Sequence, residues 1–283
     1  MDTVAIIAYF NFSQKQARDI ALQEALRHLS QQVDVILVCY GLQTDSILPA
    51  NNIHIVNIQS ASIVWQKERF YSVALSHLKH NHKYIVWVDA DLLFTQPDWL
   101  MQLRDKLESY RLVQLFNRVE DVRFENNDFS STGLIRKSVV ESWGSDITLE
   151  DYFSKSGISL QIGCNPGFGW GAKAETIRKI DFADFMIMGG GDKVLLASAM
   201  GYQATLNKTL SLNQSLSHIS LDWGEKVFQV IEGQVSYLEN TIYHIVQGDY
   251  RNRNYSKRHQ LISDDRFVIN EYLIIQKKGP GSN

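Results

Sequence analysis

The run Tyr84-Ile85-Val86-Trp87-Val88 is apolar, rich in β-forming residues, and stops on Asp89-Ala90-Asp91. It follows three similar runs, Val4 to Phe10, Val33 to Tyr40 and Ile53 to Ile58. Between them apolar residues recur at helical spacing: Ala17, Ile20, Ala21, Ala25 and Leu29, then Phe70, Val73, Ala74 and His77. Apolar strands alternating with amphipathic helices bury both strand faces when helices cover both sides of a mostly parallel sheet, so an α/β fold is predicted. In such sheets ligands bind beyond the carboxyl ends of strands. Asp89 and Asp91 fall at one of these ends.

Beyond Pro97 the pattern loosens. Trp99 to Tyr110 reads as a helix and Leu112 to Phe116 as a strand, while the polar, acidic stretch Asn117 to Ser131 reads as a mobile loop. Gly163 to Gly171 carries four glycines around Pro166 and Trp170, which predicts a shaped loop and no regular element. Ala172 to Ile180 reads as a short helix, and a second helix runs from Asp192 through Met200 after Gly189-Gly190-Gly191. Val235 to Leu238 and Thr241 to Val246 read as strands.

Composition narrows the partners. With 28 Lys plus Arg against 31 Asp plus Glu, the net charge of -3 gives no global attraction to nucleic acid or an anionic membrane. Cys39 and Cys164 have neither metal-ligand nor disulfide-framework spacing, which points to a reducing compartment. No apolar run approaches the roughly 18 residues of a membrane span, and Met1-Asp2-Thr3-Val4 lacks the basic start of a signal peptide. A cytoplasmic protein is expected, with peripheral membrane contact left open.

Alternation along an extended backbone sends Asp89 and Asp91 to the same side. Hard divalent ions prefer carboxylate oxygens and keep positions open for phosphate, so the pair reads as a platform for Mn²⁺ or Mg²⁺ and a diphosphate. The alternative is a pair of solvated turn carboxylates. At this point the sequence resembles the nucleotide-sugar glycosyltransferases of the GT-A fold, of the inverting, bacterial, galactosyltransferase or family-two type, in which a strand ends in Asp-x-Asp.

The resemblance implies several further roles. Lys67-Glu68-Arg69 leads into the fourth strand much as an Ala-Arg-Asn element does in the family, and by that similarity Arg69 faces the nucleotide. Gly167-Phe168-Gly169-Trp170-Gly171-Ala172 followed by Gly189-Gly190-Gly191-Asp192 is similar to the acceptor half, where family members carry Gly-Gly-Glu-Asp. Gly191 stands in place of the glutamate, so only Asp192 carries over, as the general base that takes the acceptor hydroxyl proton. Gly190 and Gly191 leave room for the sugar, and Trp170 either stacks on a sugar face or packs in the core. Thr241 to Asp249 is similar to a late His-x-x-His-Gly-Asp element, which makes His244 a metal ligand with Asp89 and Asp91. Gln247 replaces the second histidine. The basic segment after it offers Arg251 and Arg253 as diphosphate clamps.

Together these imply a single GT-A domain over residues 1–260, with a nucleotide-binding half at 1–95 and an acceptor half at 96–250, followed by an extension and tail at 261–283. The implied activity is metal-dependent transfer of a hexose from a nucleoside-diphosphate sugar, a UDP-sugar first, to a glycan, lipid-linked sugar or protein hydroxyl. Glu120 to Asp128 and the basic C-terminal stretch are the candidate lids. A retaining transferase, a sugar nucleotidyltransferase and a non-catalytic carbohydrate-binding protein are the alternatives.

Overall fold

The computed structural model describes residues 1–12, 14–40, 42, 50–58, 67–126, 128–156, 158–247 and 263–264. The first part of the chain alternates as its periodicity predicts: β1 (Thr3–Phe10), α1 (Gln16–Leu29), β2 (Asp34–Tyr40), β3 (Ile53–Ile58), α2 (Lys67–Leu75) and β4 (Tyr84–Val88). Then come β5 (Leu92–Phe94), α3 (Trp99–Lys106), β6 (Leu112–Gln114), β7 (Arg118–Glu125) and β8 (Asp128–Ser138). Three short helices follow, α4 (Val139–Ser142), α5 (Leu149–Ser154) and α6 (Ile158–Ile162), before β9 (Cys164–Asn165), β10 (Gly169–Lys173) and α7 (Ala174–Ile180). The last elements are α8 (Gly191–Ala199), α9 (Gln203–Thr209), α10 (Gln214–Ile231), β11 (Val235–Tyr237) and β12 (Thr241–Ile245).

Seven strands form the main sheet in the order β11-β6-β10-β4-β1-β2-β3. β10 runs antiparallel between β4 and β6, and the other strands are parallel. The predicted α/β architecture, a mostly parallel sheet flanked by helices, is what the chain forms. Strands from both halves of the sequence share this sheet.

Strand alternation splits the core into two layers. Ala5, Ile7, Val35, Leu37, Val86 and Val88 pack with Leu22, Leu26 and Leu29 of α1 and Trp99 and Leu103 of α3. Val4, Ile6, Ile36, Val38, Ile85 and Trp87 pack on the other face with Phe70, Tyr71 and Ala74 of α2 and Val194 and Leu196 of α8. Each such fully buried aliphatic contributes about 1.5–3 kcal/mol, which fixes the register of β4 and so the position of the residues after it.

Two predicted loops are strands. Asn117 to Ser131, read as a mobile loop and lid, lies mostly in the β7–β8 antiparallel hairpin. Val119, Asp121 and Val122 face inward, and β7 is held on its other edge by β12. The lid proposed for Glu120 to Asp128 therefore does not fit, because most of its backbone groups are committed to ladders. Gly163 to Gly171 contains β9 and most of β10. Gly171 is needed in the latter because a β-carbon there would stand 2.8 Å from Leu103 Cδ1.

A second sheet, β5-β12-β7-β8-β9, abuts the end of β4. β12 lies between β5 and β7, so His244 is paired in register with Leu92 on one side and Asp121 on the other. This strand pairing brings a late histidine beside Asp91. Among the described residues no helix is long and apolar enough to cross a membrane.

Candidate active site

Asp89 is the first residue beyond β4, and its backbone N–H donates to the carbonyl of Phe168 at 2.8 Å. Its carboxylate Oδ1 accepts from Lys67 Nζ at 3.0 Å. Lys67 opens α2, and its ammonium also reaches Asp192 Oδ2 at 2.8 Å. The strand-end carboxylate and the carboxylate after the glycine loop therefore meet on one cation, whose side chain is only 12% exposed. Burial opposes charging Lys67, but Asp192 and Asp89 hold its pKa well above the ordinary lysine value. Burial also raises the Asp89 carboxyl, with Lys67 pulling the other way.

The glycines shape the approach to Asp192. Gly189 and Gly190 take φ values of 73° and 94°, a left-handed pair that turns the chain into α8 and suits residues without a β-carbon. A β-carbon at Gly167 would lie 3.3 Å from Asp192 Oδ2, so this glycine keeps that side of the carboxylate open.

Asp91 belongs to a separate cluster. Its Oδ2 accepts from Gln247 Nε2 at 2.9 Å and lies 3.5 Å from His244 Nε2. Among the described residues its buried Oδ1 has no hydrogen-bond partner. His244 is itself buried, with Nδ1 2.8 Å from Asp121 Oδ1, and Asp121 is in turn paired with Arg136. Burial disfavours the imidazolium, yet Asp91 and Asp121 outweigh it and raise the His244 pKa to about 9. Phe168 joins the clusters: at a strained φ of 74° its ring lies 5.0 Å from that of His244 and 5.1 Å from the Arg136 guanidinium.

The three expected metal ligands do not stand as one set. Among the described residues no group of three or more His, Cys, Asp or Glu side chains forms a metal cage, and Asp89 is taken by Lys67. Asp91 and His244 do fit a hard divalent ion. The Asp91 oxygen left unpaired among the described residues is free to accept a cation, and a carboxylate on Nδ1 orients an imidazole so that Nε2 can ligate once it has lost its proton.

Other predicted residues separate from this centre. Arg69 Nη1 pairs with Asp184 Oδ2 at 3.0 Å and so braces α2 against the segment before α8. Trp170, for which sugar stacking or core packing was expected, is 0% exposed and its indole N–H donates to the Pro166 carbonyl at 2.8 Å. It is a core residue with no face open to a substrate. Arg251 and Arg253 lie outside the described residues. Lys67, Asp121, Arg136 and Gln247 are the site residues that sequence reasoning missed. The available signals were the charge of Lys67 just before a predicted helix and the place of Gln247 where the resemblance has a second histidine.

No family model and no curated protein sequence matches the chain. Among solved structures it is similar to residues 1–349 of S. aureus TarS in complex with UDP-GlcNAc, at 9% identity over 88% of this chain and 60% of that one, with a TM-score of 0.46. It is also similar to glucosyl-3-phosphoglycerate synthase from Mycobacterium tuberculosis in complex with Mn²⁺, UDP-glucose and phosphoglyceric acid, at 14% identity over 92% and 76% of the two chains, with a TM-score of 0.44. Mannosyl-3-phosphoglycerate synthase from Rubrobacter xylanophilus is similar at 13% identity over 100% and 79%, with a TM-score of 0.47. The chain spans 60% of the TarS fragment, the first of these.

Proposed function

We propose that the chain is a glycosyltransferase that moves a hexose from a nucleoside-diphosphate sugar, a UDP-sugar first, to an acceptor hydroxyl with inversion, Asp192 being the general base. The observation that carries this reading is the meeting of Asp89 and Asp192 on Lys67 at the carboxyl edge of the sheet, where ligands of α/β proteins bind. In this reading Lys67 joins a donor-side carboxylate to an acceptor-side carboxylate.

In this reading Asp192 takes the proton from the acceptor hydroxyl while that oxygen attacks the anomeric carbon in line. Here the acceptor approaches the side of Asp192 that Gly167 leaves without a side chain; Gly190, expected to leave room for the sugar, serves the turn into α8, and Gly191, expected to do the same, is covered by Glu68. Lys67 offsets the charge of both carboxylates where water is largely excluded. Asp91 and His244 would hold Mn²⁺ or Mg²⁺, and a bound ion supplies positive charge against the departing diphosphate. Asp121 keeps the His244 ring oriented for that role. Arg251 and Arg253 are proposed as further diphosphate contacts, and the acceptor is a glycan, a lipid-linked sugar or a protein. Both cysteines are buried and free, which suits the cytoplasmic location expected from the sequence.

The test is release of nucleoside diphosphate from a panel of sugar nucleotides with and without Mn²⁺, and the anomeric configuration of the product by NMR. Turnover that needs the metal and falls in Asp91→Asn and Asp192→Asn is expected. Failure of every donor to bind or react would sink the reading, and a retained configuration would remove Asp192 as the base.

A further inference from the structure

Glu68 is a buried carboxylate that the proposed transfer does not use. It follows Lys67 in the first turn of α2 and is 5% exposed. Its carboxyl group fills the space over Gly191. A β-carbon on Gly191 would stand 2.2 Å from Glu68 Oε1 and 2.5 Å from Cδ and Cγ. Such separations are too short for any side chain at position 191 while Glu68 stays in place.

Gly191 differs in this from its neighbours. Gly189 and Gly190 have positive φ and answer to the turn, whereas Gly191 is the first residue of α8 and needs no left-handed backbone. A glycine at position 191 is therefore what admits Glu68 against the first turn of α8. An apolar side chain would fill the same volume without the penalty of burying a charge. The Glu68 carboxylate also brings negative charge close to the start of a helix whose cap, Gly190, makes no side-chain hydrogen bond. Lys67 and Glu68 thus engage consecutive residues of α8, Lys67 on Asp192 and Glu68 on Gly191.

We propose that Glu68 is a positioning residue for Asp192: its carboxylate, seated over Gly191, fixes the first turn of α8 and with it the direction of the neighbouring carboxylate. This role rests on Asp192 acting as the base in the proposed transfer.

The experiment compares melting temperature, kcat and donor KM for the wild type and for Gly191→Ala, Glu68→Gln, Glu68→Ala and two exchanges, Glu68→Gly with Gly191→Glu and Glu68→Gly with Gly191→Gln. Gly191→Ala lowers both melting temperature and kcat, and adding Glu68→Ala to it restores the melting temperature to that of Glu68→Ala alone. Glu68→Gln keeps the fold and the donor KM but lowers kcat roughly tenfold, the scale expected when a reacting group is misdirected. The Gly191→Glu exchange, which returns a carboxylate to the same space from α8, recovers about fivefold or more over Glu68→Ala, and its glutamine counterpart does not. Wild-type kcat in Glu68→Gln, or equal rates in the two exchanges, overturns the role while leaving the transferase reading intact. A wild type that turns over no sugar nucleotide overturns both.

Discussion

Lys67 Nζ stands 2.8 Å from Asp192 Oδ2 while holding Asp89 Oδ1 at 3.0 Å. One ammonium therefore ties the end of β4 to the start of α8. Asp89 ends a central strand of the sheet and Asp192 lies in a helix packed against it, and each is partly withdrawn from water. Without a cation between them they would repel across a site of low dielectric.

Lys67→Met should accordingly cost both stability and turnover. Removing one partner of a largely buried ion pair is worth about 3–5 kcal/mol, and the partial exposure of Asp89 and Asp192 brings the expectation to about 2–3 kcal/mol by urea denaturation. Diphosphate release should fall roughly a hundredfold as the two halves lose their common reference. Unchanged turnover in a folded Lys67→Met protein would show that the bridge has no part in the reaction.

Asp121 stands one step behind the proposed metal position. It is buried against His244 Nδ1 and paired with Arg136, so Asp121→Asn leaves the Asp91 and His244 side chains in place but loosens the ring that presents Nε2. Mn²⁺ affinity, measured by electron paramagnetic resonance titration, should drop about 10- to 100-fold. Equal affinity in the two proteins would mean that His244 does not ligate the ion.

The sheet was legible because β1, β2 and β4 write their burial directly as apolar runs, and Asp89 and Asp91 were legible because such a run ends on them. The β7–β8 hairpin was not. Arg118, Glu120, Arg123 and Glu125 advertise a solvated loop, and the inward-facing Asp121 breaks the apolar alternation that Val119 would begin. Lys67 was hidden for another reason: its partner Asp192 lies 125 residues away, so only the packing of α2 beside α8 reveals it. The same packing covers Gly191, because the Glu68 carboxyl group fills the space over it from a different helix. Trp170 misled because a glycine-rich surround looks like an open loop, whereas here the glycines let Leu103 and Leu115 press on a central strand.

Trp170→Phe separates packing from sugar binding. The substitution removes part of a fully buried ring and the hydrogen bond to the Pro166 carbonyl, a combined cost of about 1–3 kcal/mol. A lower melting temperature with donor and acceptor KM values near those of the wild type is expected. A selective rise in KM for one sugar at unchanged stability would restore Trp170 to the binding site.

Lys193 gives a prediction in pH. It follows Asp192 in α8, its ammonium lies 4.7 Å from the centre of the Tyr152 ring, and among the described residues no carboxylate forms an ion pair with it. Burial lowers its pKa from the ordinary 10.5 to about 8, with the nearby Cys164 opposing. Below pH 8 both folded and unfolded chains carry the proton, and the full cost of burying the charge is present. Between pH 8 and 10.5 the folded protein has released the proton while the unfolded chain still binds it, so this group makes stability rise with pH across that window. Lys193→Met removes the penalty. Its advantage over the wild type should be on the order of 2 kcal/mol at pH 7 and shrink as pH climbs toward 10, measured by urea denaturation at each pH. A difference that stays constant from pH 7 to pH 10 would show that Lys193 keeps its proton throughout and that the ring and neighbouring dipoles solvate it fully.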